Sequence, residues 1–225
     1  MAVMTFYMTP GSCSTGIHIL LEELEEVFQV TVVNLPAGDH FKPDYVAINP
    51  KSTIPTLVRR DGTALTEVMA IAFWLARTHP RAGLWPEDAE RQTRLIEAMA
   101  YMTGTLHGQG FARLFATSTF TRNSADHDAV RALGREIVRT GFAVLDAALE
   151  EGPYLGGGTF SAADPILFYL EFWADKLALP LPERIAAHYR RMLARPAVQQ
   201  VLREEGYNTA SLGQVPLTQP GTVPA

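Results

Sequence analysis

The pattern of apolar and polar positions changes character near residue 80. Before it, short apolar runs alternate with helically spaced ones. MTFYM (4–8) predicts a strand, and Ile17, Leu20, Leu21 and Leu24 then recur at helical spacing. FQVTVVNL (28–35) is rich in β-branched and aromatic residues and predicts a second strand. AGDHFKPDYVAINP (37–50) reads as a loop with one helical turn. TLVRRDGTALT (56–66) reads as two short strands joined at Asp61-Gly62, a hairpin turn pair. EVMAIAFWLARTH (67–79) predicts a helix stopped by Pro80. The order is β-α-β-loop-β-β-α. Its first three elements make a right-handed parallel unit, and the hairpin adds antiparallel strands.

PRAGLWPED (80–88) carries Pro, Gly and charge and reads as a linker. Beyond it the pattern is helical: 89–115, then 126–150 with Val130, Leu133, Ile137, Val138, Phe142 and Leu145 on one face, then 162–177, 182–194 and 196–205. Ser161 followed by Asp164 is a capping-box variant, with Pro165 in the tolerant first turn. The Pro/Gly/Ser/Thr-rich end, from Tyr207 on, reads as an extended tail. The pattern therefore predicts an α/β domain over 1–80 and an all-α domain over 89–225. Met99, Met102 and Leu106, with the glycines of the first long helix, suggest a seam between two copies of the chain.

Composition narrows the function. The chain has 225 residues, 19 Lys+Arg against 24 Asp+Glu, and a formal charge of −5. That is no footprint for nucleic acid, which needs a clustered basic surface. No stretch reaches the ~18 consecutive apolar residues of a membrane span. MAVMTFYMTPG lacks a basic start and an apolar core, so no signal peptide is expected and a cytoplasmic protein is. One cysteine cannot form an intramolecular disulfide.

That cysteine, Cys13, is the first candidate for chemistry. A free cysteine is most often a small buried apolar residue. Here Ser12, Ser14 and Thr15 surround it, at the start of a helix whose unpaired N–H groups and dipole favour an anion. A dipole contribution of up to roughly 2 kcal/mol lowers a thiol from ~8.5 to about 7. The same helix start suits the thiolate of a bound ligand. Ile54-Pro55 stands just before a strand, where backbone can pair with a ligand; nothing local makes the bond cis. Glu67, at a helix start, reads as a carboxylate complementing the dipole or as an acceptor for a ligand ammonium, with the Val68 N–H offered to a carboxylate. His107 lies on the first long helix, where a lone His is usually structural. Gly104, Gly108 and Gly110 flank it, each costing about 1 kcal/mol relative to Ala, and suggest close approach.

These pieces, in this order, resemble the glutathione transferases, and most closely the bacterial beta class. The motifs are FYMTPGSCSTGIHI, YVAINPKSTIPTLVRRDGTALTEVMAI, LHGQGFARLF, FSAADPILF and HYRRMLARPAVQQVL, spanning the chain to about residue 205. The resemblance implies a thioredoxin-like N-terminal domain, an all-helical C-terminal domain and a homodimer. It implies conjugation of glutathione, as co-substrate, to hydrophobic electrophiles, with thiol–disulfide exchange through Cys13 and no metal. Cys13, Ser12, Ser14 and His107 would be catalytic. Tyr7, Lys51, Ile54, Pro55, Glu67 and Val68 would bind glutathione, with Ile54-Pro55 cis. The family's lysine near the glycyl end is absent from Leu35-Pro36-Ala37-Gly38, so Lys42 or His40 would substitute. An asparagine that the family often carries before the histidine is here Ala100, the lysine after that histidine is Gly108, and the small residue after the glutamate is Val68. The alternatives on the same fold are a non-catalytic binding module and a specialised glutathione-dependent isomerase or dehalogenase.

Overall fold

The structure, a computed structural model, describes residues 2–149 and 152–218. Four strands, β1 (Met4–Met8), β2 (Phe28–Val32), β3 (Thr56–Val58) and β4 (Ala64–Thr66), form one sheet in the order β2-β1-β3-β4. β1 and β2 run parallel, while β3 is antiparallel to both β1 and β4. The crossover from β1 to β2 is α1 (Ser14–Glu23). Alternation along β1 buries Met4, Phe6 and Met8 on one face and turns Tyr7 to the other. The hairpin closes as expected: Gly62 has φ +83°, and Thr63 N–H donates to Asp61 Oδ1 at 2.9 Å. β2 is shorter than 28–35, because Asn34 leaves the sheet for a turn in which its N–H donates to Asp39 Oδ2 at 3.0 Å. The loop that follows contains the expected helical turn, α2 (Pro43–Val46), and α3 (Val68–Thr78) follows the hairpin.

Residues 80–88 are not a loose linker. Leu84 and Trp85 are buried, and Ala162 N–H donates to Leu84 O at 3.0 Å. Beyond them lie α4 (Ala89–Tyr101), α5 (Ala112–Phe115), α6 (His127–Ala148), α7 (Asp164–Lys176), α8 (Glu183–Leu193) and α9 (Pro196–Glu204). Between α4 and α5 the helix widens to π geometry over Met102–Phe111, the stretch that carries His107. Met99, Met102 and Leu106 are buried inside the chain, so they are not a seam between copies. Leu106 and Gly110 pack on α6: a Cβ added at Gly141 would overlap Leu106, and one at Gly110 would lie 2.7 Å from Val138 Cγ2. Close approach thus explains Gly110 but not Gly104, beside which nothing lies within 4 Å.

The end of the described chain is not a free tail. Leu181 N–H donates to Pro216 O and Thr218 N–H to Leu181 O, both at 2.9 Å. Residues 219–225 of the expected tail lie outside the described residues. No helix among the described residues is long and apolar enough to cross a membrane.

Candidate functional site

A cleft of about 1100 Å³ lies between the sheet portion and the helices. Its polar end is formed by the start of α1, the loop before β3 and the start of α3. Cys13 stands immediately before Ser14, with Thr15 N–H bonded to Ser12 O and Gly16 N–H to Cys13 O. The turn leading to it is braced from within. The Ser12 hydroxyl donates to Thr9 O at 2.7 Å, and Ser14 Oγ accepts the Thr9 N–H at 3.1 Å and lies 2.6 Å from Ser12 Oγ.

The helical portion braces the same turn. Trp173 Nε1 donates to Gly11 O at 2.7 Å, and Glu205 Oε2 accepts the Gly11 N–H at 2.7 Å and the Thr15 hydroxyl at 2.8 Å. Gly11 has φ +71°, and a Cβ there would overlap the Tyr207 hydroxyl. Residues 9–15 are therefore held by groups nearly two hundred positions away.

Ser12, Cys13, Lys51, Ile54, Glu67, Val68 and His107 border the cleft together. Lys51 Nζ lies 2.8 Å from Glu67 Oε1, a partly exposed pair whose charges both face ligand space. Ile54-Pro55 is cis, and Ile54 precedes β3 outside the ladder, with its carbonyl accepting the Cys13 thiol at 3.6 Å. Three expected residues stand away from the cleft surface. Tyr7 packs its ring 5.6 Å from that of Tyr45 because strand alternation points it there. Ser14 is fully buried in the turn, and Pro55 lies behind Ile54. Of the two residues considered in place of the missing lysine, His40 borders the cleft, whereas Lys42 is paired with Asp39 at 2.6 Å.

The electrostatics correct the expectation for Cys13. Burial pushes the thiol up to about 12, with the Glu67 charge adding to the rise, against the pull of the Cys13 and Ser14 backbone N–H groups. Desolvation outweighs the helix start, so the thiol is protonated at neutral pH and donates. Burial likewise lowers His107 to about 4, leaving it neutral, with Nδ1 3.2 Å from the Tyr169 hydroxyl. Between pH 5 and 8 His107 is expected to contribute no titration. A pH–rate profile of His107→Ala should therefore keep the wild-type shape; a wild-type inflection near pH 6.5 that this variant lost would contradict it.

Sequence reasoning missed the apolar wall: Met69, Thr103, Phe115, Phe172, Trp173 and Tyr207. The Trp173 ring is 5.1 Å from Phe115 and 4.9 Å from His107. No local signal marks these residues: they come from four separate elements and the segment after α9, and Phe172 and Trp173 read as ordinary core aromatics of the buried α7. The cleft is thus polar on its thioredoxin-like side and aromatic on its helical side, with one thiol where the two meet.

The same architecture is found in known proteins. Family models described as "Glutathione S-transferase, N-terminal domain" and "Glutathione S-transferase, C-terminal domain" match residues 11–78 and 128–203. Glutathione S-transferase GST-4.5 of Xanthomonas campestris pv. campestris is 34% identical over 208 residues, covering 91% of this chain and 100% of that protein. Among solved structures, a glutathione transferase homolog from Sulfitobacter with bound glutathione superposes with a TM-score of 0.82 at 32% identity, covering 91% of this chain and 99% of that one. A bacterial beta class glutathione S-transferase from Sphingomonas chungbukensis gives a TM-score of 0.77 at 28% identity, covering 91% and 100%. The chain belongs to the glutathione S-transferase family, and its general activity is that of a glutathione transferase.

Proposed function

We propose that this chain is a beta-like, cytoplasmic, homodimeric enzyme that conjugates glutathione to small hydrophobic electrophiles. The observation that carries this reading is the two-faced cleft with Cys13 at the join. On its polar side the Lys51–Glu67 pair takes the charged γ-glutamyl end, with the Val68 N–H beside it. The Ile54 backbone pairs with the cysteinyl unit. His40 stands in for the family's lysine toward the glycyl carboxylate. The glutathione sulfur then lies beside the protonated Cys13 thiol, which donates a hydrogen bond to the thiolate. The aromatic wall holds the electrophile within reach of that sulfur, so positioning and preorganised donors supply the acceleration. Neutral His107, whose Nδ1 lies 3.2 Å from the Tyr169 hydroxyl, lines the cleft as a polar group that orients the bound thiol and takes no proton from it. No metal is needed for this step.

Glu67→Gln tests the polar side. Losing a charge-assisted hydrogen bond of roughly 1.5–3 kcal/mol is expected to raise the KM for glutathione about tenfold or more, with kcat for a chlorinated aromatic nearly unchanged. An unchanged KM would remove the γ-glutamyl end from this position.

A second activity, exchange with glutathione disulfides, is favoured by the one thiol of the chain bordering the cleft.

A further inference from the structure

On the far side of Glu205 from the turn before Cys13 lies a cluster that the transferase reading does not use. His18 and Glu22 stand one turn apart on α1, and Glu204 reaches them from α9. One ligand-type atom from each lies within 4.8 Å of the others. His18 is 3% exposed, and its ring is fixed between Phe6 and Phe28, at centroid distances of 5.9 and 5.7 Å.

The two ring nitrogens have different surroundings. Nδ1 is 3.0 Å from Glu205 Oε1, and the other oxygen of that carboxylate already accepts from Gly11 and Thr15. A carboxylate only accepts, so Nδ1 carries a proton. Nε2 is buried without a hydrogen-bond partner, although Glu204 Oε2 lies 3.2 Å away. Nε2 is thus the ring nitrogen turned toward Glu204, at ion-pair distance but without hydrogen-bond geometry. Neither Lys nor Arg pairs with Glu22 or Glu204 among the described residues. The remaining oxygen of Glu204 accepts from Gln200 at 3.0 Å.

We propose that His18, Glu22 and Glu204 form a site for a divalent transition-metal ion, with zinc as its best-fitting occupant. One imidazole and two carboxylates, completed by water, suit zinc in chemistry and number. With metal–ligand bonds of about 2.0–2.2 Å, tetrahedral ligands lie roughly 3.3–3.5 Å apart, close to the separation of Nε2 from Glu204 Oε2. Glu22 is only partly buried and turns its carboxylate in by rotation about its side-chain bonds. Glu205 is the outer carboxylate that fixes the tautomer of a metal-bound histidine. The ion would join α1 of the sheet portion to α9 of the helical portion.

Calorimetric titration of the metal-free full-length chain with Zn²⁺, repeated with Co²⁺ under visible spectroscopy, tests this. One saturable zinc per chain is expected, with a cobalt spectrum of nitrogen and oxygen ligation and no thiolate charge-transfer band. Glu22→Gln and Glu204→Gln, both at partly exposed positions that should tolerate the change, are expected to weaken zinc binding by roughly tenfold or more, whereas Cys13→Ser leaves it unaltered. Saturating zinc raises the unfolding temperature of the wild type and not that of the double variant. Absence of saturable binding, or binding unaffected by Glu22→Gln and Glu204→Gln, would overturn the site. So would NMR showing both His18 nitrogens protonated in the presence of excess zinc.

Discussion

Cys13→Ser is expected to abolish exchange with glutathione disulfides while leaving conjugation within about tenfold of wild type. Exchange needs the Cys13 thiolate to attack a disulfide sulfur, form a mixed disulfide and release a glutathione thiolate, and serine has no equivalent. Conjugation, as proposed, needs only a donor toward the bound thiolate, which a hydroxyl supplies, and tenfold corresponds to about 1.4 kcal/mol. Because burial holds the Cys13 thiol near 12, its thiolate fraction grows with pH throughout the working range. Wild-type exchange should therefore accelerate by up to about tenfold per pH unit between 7 and 9. Rates of both reactions in the two proteins decide the matter. Equal loss of both would make Cys13 essential to thiolate stabilisation, and unchanged exchange would make it a bystander.

Asp164→Ala is expected to cost roughly 3–5 kcal/mol of stability, the scale of removing one partner from a buried charged network. Asp164 is fully buried. Its carboxylate accepts from Leu155 N–H at 2.8 Å, from Ser161 N–H at 2.6 Å and Ser161 Oγ at 2.8 Å, and lies 3.2 Å from His188 Nε2. Burial alone would lower His188, but the Glu171 charge and the bonds to Asp164 and Glu171 outweigh it and raise the imidazole to about 10. Its folded value lies above the unfolded one near 6.5, so the bound proton stabilises the fold at neutral pH. That contribution fades as pH rises toward 10, at no more than about 1.4 kcal/mol per pH unit. Alanine strands the donors and leaves His188 with Glu171 alone. For a chain of this size the unfolding midpoint should fall by roughly 6–20 °C. A loss below about 1 kcal/mol in denaturant unfolding would show that the network relaxes without Asp164.

What the sequence made legible was local. Strand β1, the Asp61-Gly62 hairpin and the capping pair Ser161–Asp164 rest on period, turn chemistry and spacing within a few residues. The resemblance brought Cys13, Ile54, Glu67 and His107 to one region, and they border one cleft. What was hidden depends on distant packing. Leu84 and Trp85 are too few to read as core, yet they anchor residues 80–88. Glu205 holds the turn before Cys13 from 194 positions away. Trp173 looks like any core aromatic on α7. The expected lowering of the Cys13 thiol failed for the same reason, since the helix start is visible in the sequence and the burial that overrides it is not.

The central claim is that glutathione occupies the cleft with its sulfur against Cys13. Incubation of the full chain with glutathione disulfide at pH 9, followed by intact-mass and peptide mass spectrometry, tests it most directly. One glutathionyl group per chain on Cys13 is expected, and an S-alkyl glutathione, which fills the same site without a free thiol, should block its formation. Adduct formation that S-alkyl glutathione does not slow, or an unmodified Cys13 in a protein that still conjugates, would contradict the claim.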